Sequence, residues 1–451
     1  MKQRILVVGG LAAGPSAASK AKRINPNAEV TLFERGEYIS YGICEIPYYV
    51  GKTVHDSDDL ISYTPQRLEK EKGVTVRILH LVEGIDGGRK NILVRDLMRD
   101  KTSEHPFDKL ILATGSIPKT LGLPGEEGRN VFHIKTLDQG LALKQYIDQE
   151  HPQRAVIIGG GYIGMELAEA LRNNEIETTL LHRGDLPMSG LEHETRLAVK
   201  QELEQNGIVF VPRARVRELV ADVTGKVREV LTDAGSYETD LVILSLGVSP
   251  QAELAKAARI RVGRHGGIQT DQRQATSIDS IYAAGDCCEV KNIVNNAWMY
   301  IPLATTASKQ GWVAGENAAG GHAVFKGVIR ALAVKVFSQE IAQVGISSQE
   351  ATDSGFDVVT ESISANSRIG FMPGNSKVHL TLIAEKRSKR LLGANIYGRD
   401  GAVLRANTLG VAIQHHLTID QLARLDLIYT PPYSPLWDPI LVAANQLGKR
   451  L

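Results

Sequence analysis

The stretch AVIIGGGYIGMELAEALR, residues 155–172, decides the fold. Its first four residues, Ala155–Ile158, form an apolar run short enough for one strand buried on both faces. Gly159-Gly160-Gly161-Tyr162-Ile163-Gly164 then completes a G-x-G-x-x-G turn, and Tyr162–Arg172 reads as the helix that leaves it. In such a turn Gly159 reverses the chain tightly, Gly161 lets the backbone approach a pyrophosphate, and Gly164 lets helix and strand pack closely. The helix N-terminus offers free N–H groups and a positive dipole end to the phosphates. With Thr178–Leu181 as the following strand, the segment is a β-α-β dinucleotide unit.

A second copy opens the chain: ILVVGGLAAGPSAASKAKRI, residues 5–24. Gly9, Gly10 and Gly14 follow the strand Ile5–Val8 and precede the helix Pro15–Ile24, with Leu11 where the middle glycine belongs. Glu34, at the end of the next strand Glu29–Phe33, puts a carboxylate where it can bind both ribose hydroxyls, and Arg35 follows it. The matching position of the second unit holds His182 and then Arg183. A carboxylate there would favour NADH, whereas a His-Arg pair can accept a 2′-phosphate, so NADPH is favoured over NADH. The duplication continues in LILATGSI (110–117), with Ala113, Thr114 and Gly115, and in LVILSLGVS (241–249), with Gly247. SIYAAGD (280–286) is a further strand ending in a polar turn at Asp286. Two such units predict two dinucleotide ligands.

The chain's 451 residues exceed one hydrophobic core and suggest about three domains. From about Ala331 the texture changes. Strand-like runs Ala331–Phe337, Val378–Ile383 and Leu391–Ile396 alternate with helical stretches near Gly401–His415 and Ile419–Leu425, a separate α+β unit. A net charge of +1 speaks against a nucleic-acid or membrane partner held by bulk charge. No apolar stretch approaches the ~18 residues of a membrane span. The opening residues read as a strand rather than a signal peptide. Three cysteines, Cys44, Cys287 and Cys288, are no disulfide framework and fit a reducing cytoplasm.

Cys44 sits in YISYGICEIPYYVG (38–51), directly after the first nucleotide unit. A cysteine placed there can be held as a reactive thiolate, although a buried inert thiol is the commoner fate of a lone cysteine. Glu45 beside it should raise its pKa by like-charge repulsion. The adjacent Cys287 and Cys288 read as structural.

Together these residues resemble the pyridine nucleotide-disulfide oxidoreductase superfamily, and within it the single-cysteine branch of coenzyme A-disulfide reductases, NADH oxidases and persulfide reductases. The ATG segment Ala113–Gly115, the YAAGD segment Tyr282–Asp286 and the ending YTPPYSPLWDP (429–439) carry the resemblance along the whole chain. It implies an α/β fold with two Rossmann-like domains. FAD would bind residues 1–113 with 249–325, NAD(P)H would bind 114–248, and 326–451 would form an α+β dimerisation domain. It implies that reducing equivalents pass from NAD(P)H by way of FAD to Cys44, and then to a small-molecule disulfide, persulfide or polysulfide. Asp286 would bind the FAD ribityl chain. Ser40 and Tyr429, the latter from the partner subunit of a homodimer, would serve beside Cys44. Lys20, Lys22 and Arg23 would meet the phosphates of coenzyme A, or else form a solvated helix face. The second partner tyrosine of that branch falls in RIGFMPG (368–374), where this chain has Phe371, which cannot donate a proton. The branch's peroxidase and oxidase members carry a histidine in the first glycine turn, and Leu11-Ala12-Ala13 contains none. His416, lacking the usual glutamate partner, reads as structural. No residue set suggests a metal. Two alternatives remain open: an NAD(P)H oxidase with dioxygen as acceptor, and a redox-sensing flavoprotein.

Overall fold

The computed structural model describes residues 2–451. Its first sheet is parallel, in the order Ile281–Ala283, Lys109–Leu112, Arg4–Val8, Glu29–Phe33, Thr75–Arg77. Val8 aligns with Phe33 on one side and Leu112 on the other, so the turns after these three strands open along one edge. Alternate residues point to opposite faces, as the two-residue period of a strand requires. Ile5, Val7, Leu32 and Ile111 pack under the helices Ala13–Ile24 and Ala304–Ala318. Leu6, Val8, Phe33 and Leu110 pack against an antiparallel layer, His80–Asp86, Asn91–Asp96 and Lys101–Pro106. The two helices cross so closely that a Cβ on Gly311 would stand 2.2 Å from the Ala13 carbonyl oxygen.

The second sheet repeats this plan. Its parallel order is Ile208–Val211, Glu177–Leu181, Arg154–Ile158, Leu241–Leu244, Val131–His133. The helices Leu137–Glu150 and Tyr162–Asn173 cover Ala155, Ile157 and Ile243 on one face. The antiparallel strands Val216–Ala221, Val227–Thr232 and Gly235–Glu238 cover Val156, Ile158 and Val242 on the other. Only the first sheet takes its fifth strand from across the other: Ile281–Ala283 follows the whole second unit, whereas all five strands of the second sheet lie between Val131 and Leu244. The chain leaves the first sheet and returns to it side by side, through Ser116–Pro118 paired antiparallel with Val248–Pro250.

The last unit is an antiparallel sheet in the order Ala331–Val336, Gln339–Gly345, Leu391–Gly398, Lys377–Glu385, Val358–Asn366, backed by the helices Ala402–Gln414 and Pro439–Gly448. The strands Gln339–Gly345 and Val358–Asn366 were not legible in the sequence, because polar residues such as Gln343, Glu361 and Ser362 interrupt their apolar alternation. The helix expected over 419–425 contracts to Ile419–Leu422. The hairpin turn after Val336 is gripped by carboxylates of the second unit. Glu169 accepts from Phe337 N–H (2.8 Å), and buried Glu202 accepts from the N–H and Oγ of Ser338 (3.0 and 2.8 Å). Among the described residues no helix is long and apolar enough to cross a membrane.

Gly311→Ala drives a methyl into the Ala13 carbonyl. Overpacking of this kind costs about 1–3 kcal/mol, so the thermal unfolding midpoint should fall by several degrees. An unchanged midpoint would show that the two helices can separate at no cost.

Candidate functional site

Both nucleotide turns are built by the same contacts. Gly9 (φ +111) and Gly159 (φ +116) pass so close to the neighbouring strand end that a Cβ would lie 2.1 Å from the Ala113 oxygen and 2.2 Å from the Ser245 oxygen. Gly14 and Gly164 press on the carbonyls of Gly9 and Gly159 in turn. A Cβ on Gly161 would meet no protein atom within 4 Å, so its missing side chain leaves room for a ligand rather than for packing. Half-buried Leu11 takes that place in the first turn.

The strand-end residues hold the turns from the same side. Glu34 accepts from Gly10 N–H (2.6 Å) and Gly36 N–H (2.8 Å). His182 occupies the equivalent position and accepts from Gly160 N–H through Nδ1 (3.2 Å). That bond requires an unprotonated Nδ1, and burial, then Arg196 and Arg183, lower the pKa of the ring. Arg183 is exposed, while Arg196 donates to the carbonyls of Leu186 and Pro187 (2.6 and 3.0 Å). At the first sheet's other strand end, Thr114 Oγ1 donates to the Gln251 carbonyl (2.6 Å) and Gln251 N–H donates to Gly115 O (2.9 Å). With its amide turned to donate to Thr114 O (3.0 Å), Gln251 accepts from Arg35 Nη1 (3.1 Å). Gly247 (φ +83), the counterpart of Gly115 (φ +73), accepts from Lys119 N–H (3.0 Å).

The Cys44 loop hangs on the first turn. Ser40, itself in the left-handed region at φ +49, donates its N–H to Gly10 O (2.8 Å) and accepts from Ser62 N–H (2.8 Å). The helix Ile46–Val50 that follows Cys44 is tied to the second unit: Asn174 donates to Val50 O (2.8 Å) and Asn173 to Gly51 O (3.2 Å). Cys44 is exposed, and Cys287 and Cys288 are buried with their sulfurs 3.8 Å apart. The packing around Cys44 pushes its thiol pKa up, Glu166 and Glu45 push it further, and Lys135 opposes them. The Glu45 carboxylate lies back over Gly42, where a Cβ would be 2.0 Å from its Oε2. Burial, then Glu169 and Glu45, push Glu166 up to about 7.

Lys135 and Glu166 escaped the sequence reading. Lys135 donates to Asp286 Oδ2 (3.2 Å), which also accepts from Ser116 Oγ (3.0 Å). Nothing near Lys135 in sequence marks it, because its partner lies 151 residues away. Glu166 had a local signal: a carboxylate one turn into a helix that should receive phosphates. Other expected residues do not converge. Lys20 is buried, paired with Glu316 (2.8 Å) and 3.5 Å from the Trp312 ring centroid, while Lys22 donates to Ala28 O (2.7 Å). Only Arg23 of that trio is exposed, so the three do not form one phosphate site. Tyr429 (46% exposed) and Phe371 (84%) lie on the antiparallel unit's surface with Ile428, Tyr433, Leu436 and Trp437. His416 is bonded to Arg390 through Nδ1.

The duplicated turns and the cysteine between them define a two-dinucleotide oxidoreductase. Residues 3–311 match the pyridine nucleotide-disulphide oxidoreductase family, and 332–439 match its dimerisation domain. The chain belongs to that family of FAD- and NAD(P)H-dependent enzymes. It is 33% identical to an NAD(P)H coenzyme A polysulfide/persulfide reductase of Pyrococcus horikoshii, over 99% of both chains. An NAD-dependent persulfide reductase from A. fulgidus superposes with a TM-score of 0.96 at 36% identity, covering 99% of this chain and 83% of that one. A water-forming NADH oxidase from Lactobacillus brevis, bound to NADH, superposes at 0.95 and 30% identity, covering 100% and 99%.

The residues present fit an FAD. The Gly9–Gly14 turn, Glu34, the Ala113–Gly115 strand end and Asp286 share the edge where the first sheet's strands end. Tyr300 Oη is buried there without a protein partner, within electrostatic reach of Asp286.

Because Glu166 and Glu45 both disfavour the Cys44 thiolate, Glu166→Gln and Glu45→Gln should each move the midpoint of Cys44 alkylation by iodoacetamide to lower pH. A midpoint that stays put in both variants would show that neither carboxylate senses the sulfur.

Proposed function

We propose that the protein is an NADPH-linked reductase of sulfur–sulfur bonds, of the coenzyme A-disulfide or persulfide reductase type, with Cys44 as its one redox cysteine. One observation carries this reading. Cys44 is the exposed cysteine, and its loop is bonded to the first nucleotide turn at one end and to the second nucleotide helix at the other. The names of the Pyrococcus horikoshii and A. fulgidus relatives support a sulfur acceptor.

The reaction is NADPH + H⁺ + RS–SR′ → NADP⁺ + RSH + R′SH, and a persulfide acceptor yields a thiol and hydrogen sulfide. When bound, FAD relays the two electrons between the nicotinamide and the sulfur. Glu34, Arg35, Thr114 and Asp286 hold FAD on the first sheet, and Gly161, His182 and Arg183 hold NADPH on the second. The Cys44 thiolate attacks the S–S bond and forms a mixed disulfide while the other sulfur leaves as a thiolate. Tyr429 of the partner subunit gives that thiolate its proton. The enzyme works as a homodimer. Exposed Trp312, steadied by Lys20, and Lys309 line a shallow cavity with Val324 and Phe325, which offers a stacking face and a cation to coenzyme A.

A second reading, an NAD(P)H oxidase, is favoured by the likeness to the Lactobacillus brevis oxidase. Anaerobic NADPH oxidation with coenzyme A-disulfide, coenzyme A-persulfide and polysulfide separates the two. One sulfur acceptor should turn over, and Cys44→Ser should abolish that turnover. No sulfur turnover, with dioxygen restoring NADPH loss in both proteins, would establish the oxidase. In the coenzyme site, Arg183→Glu should raise the KM for NADPH by about tenfold or more, since it replaces attraction for the 2′-phosphate with repulsion. The KM for NADH should change little. Equal changes for both coenzymes would remove Arg183 from phosphate recognition.

A further inference from the structure

Two loops of the antiparallel unit carry its outward aromatics. One joins Val358–Asn366 to Lys377–Glu385 and bears Phe371. The other runs from Tyr429 to Asp438. They are remote in sequence, and one side chain joins them. Arg405, on the helix Ala402–Gln414, has its side chain only 11% exposed. Its Nε donates to Asp438 Oδ2 (2.8 Å), and its Nη2 donates to Ser367 O (2.8 Å) and Tyr433 O (3.4 Å). Its Nη1 donates to Gly401 O at the start of its own helix (3.0 Å).

Asp438 extends the junction. It accepts from Ser434 Oγ (3.1 Å) and, through its other oxygen, from Ile440 N–H (2.9 Å), which caps the helix Pro439–Gly448. Tyr433 and Ser434 both donate their N–H groups to Thr430 O (3.0 and 3.1 Å). The backbone beside Tyr429 is therefore referred, through this closed turn, to Arg405 and Asp438. The base of the Phe371 loop is referred to the same guanidinium through Ser367. Only the planar five-donor fork of arginine can serve one carboxylate and three carbonyls from a single buried point.

We propose that Arg405 is a positioning residue for the sulfur half of the reaction, fixing the Tyr429 and Phe371 loops as one piece against the partner's redox site. This rests on the reading that Tyr429 of one subunit serves Cys44 of the other. A buried ion pair is weak evidence of net stability but a strong geometric constraint. The signature of its loss is therefore a selective kinetic defect.

The test uses the holoenzyme dimer and three variants: Arg405→Lys, the milder Ser434→Ala, and Tyr429→Phe. NADPH oxidation in a single turnover without acceptor reports the first half-reaction, and thiol release from a disulfide acceptor reports the second. Arg405→Lys should leave dimer, FAD content and first half-reaction unchanged, and slow thiol release by about tenfold or more, as displaced catalytic groups do. Ser434→Ala should slow thiol release in the same sense by several-fold. Arg405→Lys combined with Tyr429→Phe should be no slower than Tyr429→Phe alone. Equal loss in both half-reactions, or independent multiplication of the two defects, would overturn the proposal. If Arg405→Lys fails to dimerise, Ser434→Ala decides, and unchanged thiol release in it overturns the proposal. If Tyr429→Phe alone leaves thiol release unchanged, the partner-completed site is what fails.

Discussion

The passage of Gly9 beneath the Ala113 carbonyl, repeated by Gly159 beneath Ser245, is the constraint on which the rest of the molecule depends. Adjacent parallel strands end at the same level, so the turn leaving one must slip past the carbonyl ending the other. A side chain there would collide with backbone, which cannot yield as a side-chain tip can. Once the turn is made, its N–H and C=O groups are committed. Gly10 N–H goes to Glu34 and Gly10 O goes to Ser40 N–H, from which the cysteine loop is suspended. The Cys44 loop is thus tied to the backbone of the first turn at one end, and through Asn173 and Asn174 to the second unit at the other.

The duplicated turns share a mechanism while differing in charge. Glu34 grips its turn with a carboxylate, and His182 grips the other with an unprotonated ring nitrogen. The same hydrogen bond is made, but only the first sets a carboxylate beside its turn. Around Cys44 the balance is acidic. Glu166, Glu45 and Asp286 all disfavour the thiolate, and Lys135, which favours it, is engaged by Asp286.

What was legible in the sequence was local. Strands buried on both faces announce themselves as unbroken apolar runs, and glycine spacing marks the turns, so the strands and helices flanking the two glycine turns are read to within a residue or two. Glu34 was legible because it stands at a fixed offset from a glycine. The unreadable part is long-range pairing. Lys20 looked like a free cation on a helix face, yet its partner Glu316 lies on a helix almost three hundred residues later. Lys135 meets Asp286 across the junction of two units. Two strands of the last sheet, Gln339–Gly345 and Val358–Asn366, hid because they carry polar residues that find partners only after assembly, as Gln343 does with the Gly190 carbonyl and Ser362 with Thr381.

The borrowed fifth strand has a consequence for how the chain is made. Leu110–Leu112 can pair with Ile281–Ala283 only after about 170 further residues have been synthesised, which takes roughly 10–30 s at ordinary elongation rates. During that interval the edge of the first sheet stays unpaired, while the second unit holds everything it needs between Val131 and Leu244. The unit encoded in the middle can therefore close before the one encoded first. The first unit gains its last strand, Ile281–Ala283, and the helix Ala304–Ala318 only late in biogenesis, when the chain returns past its own starting point.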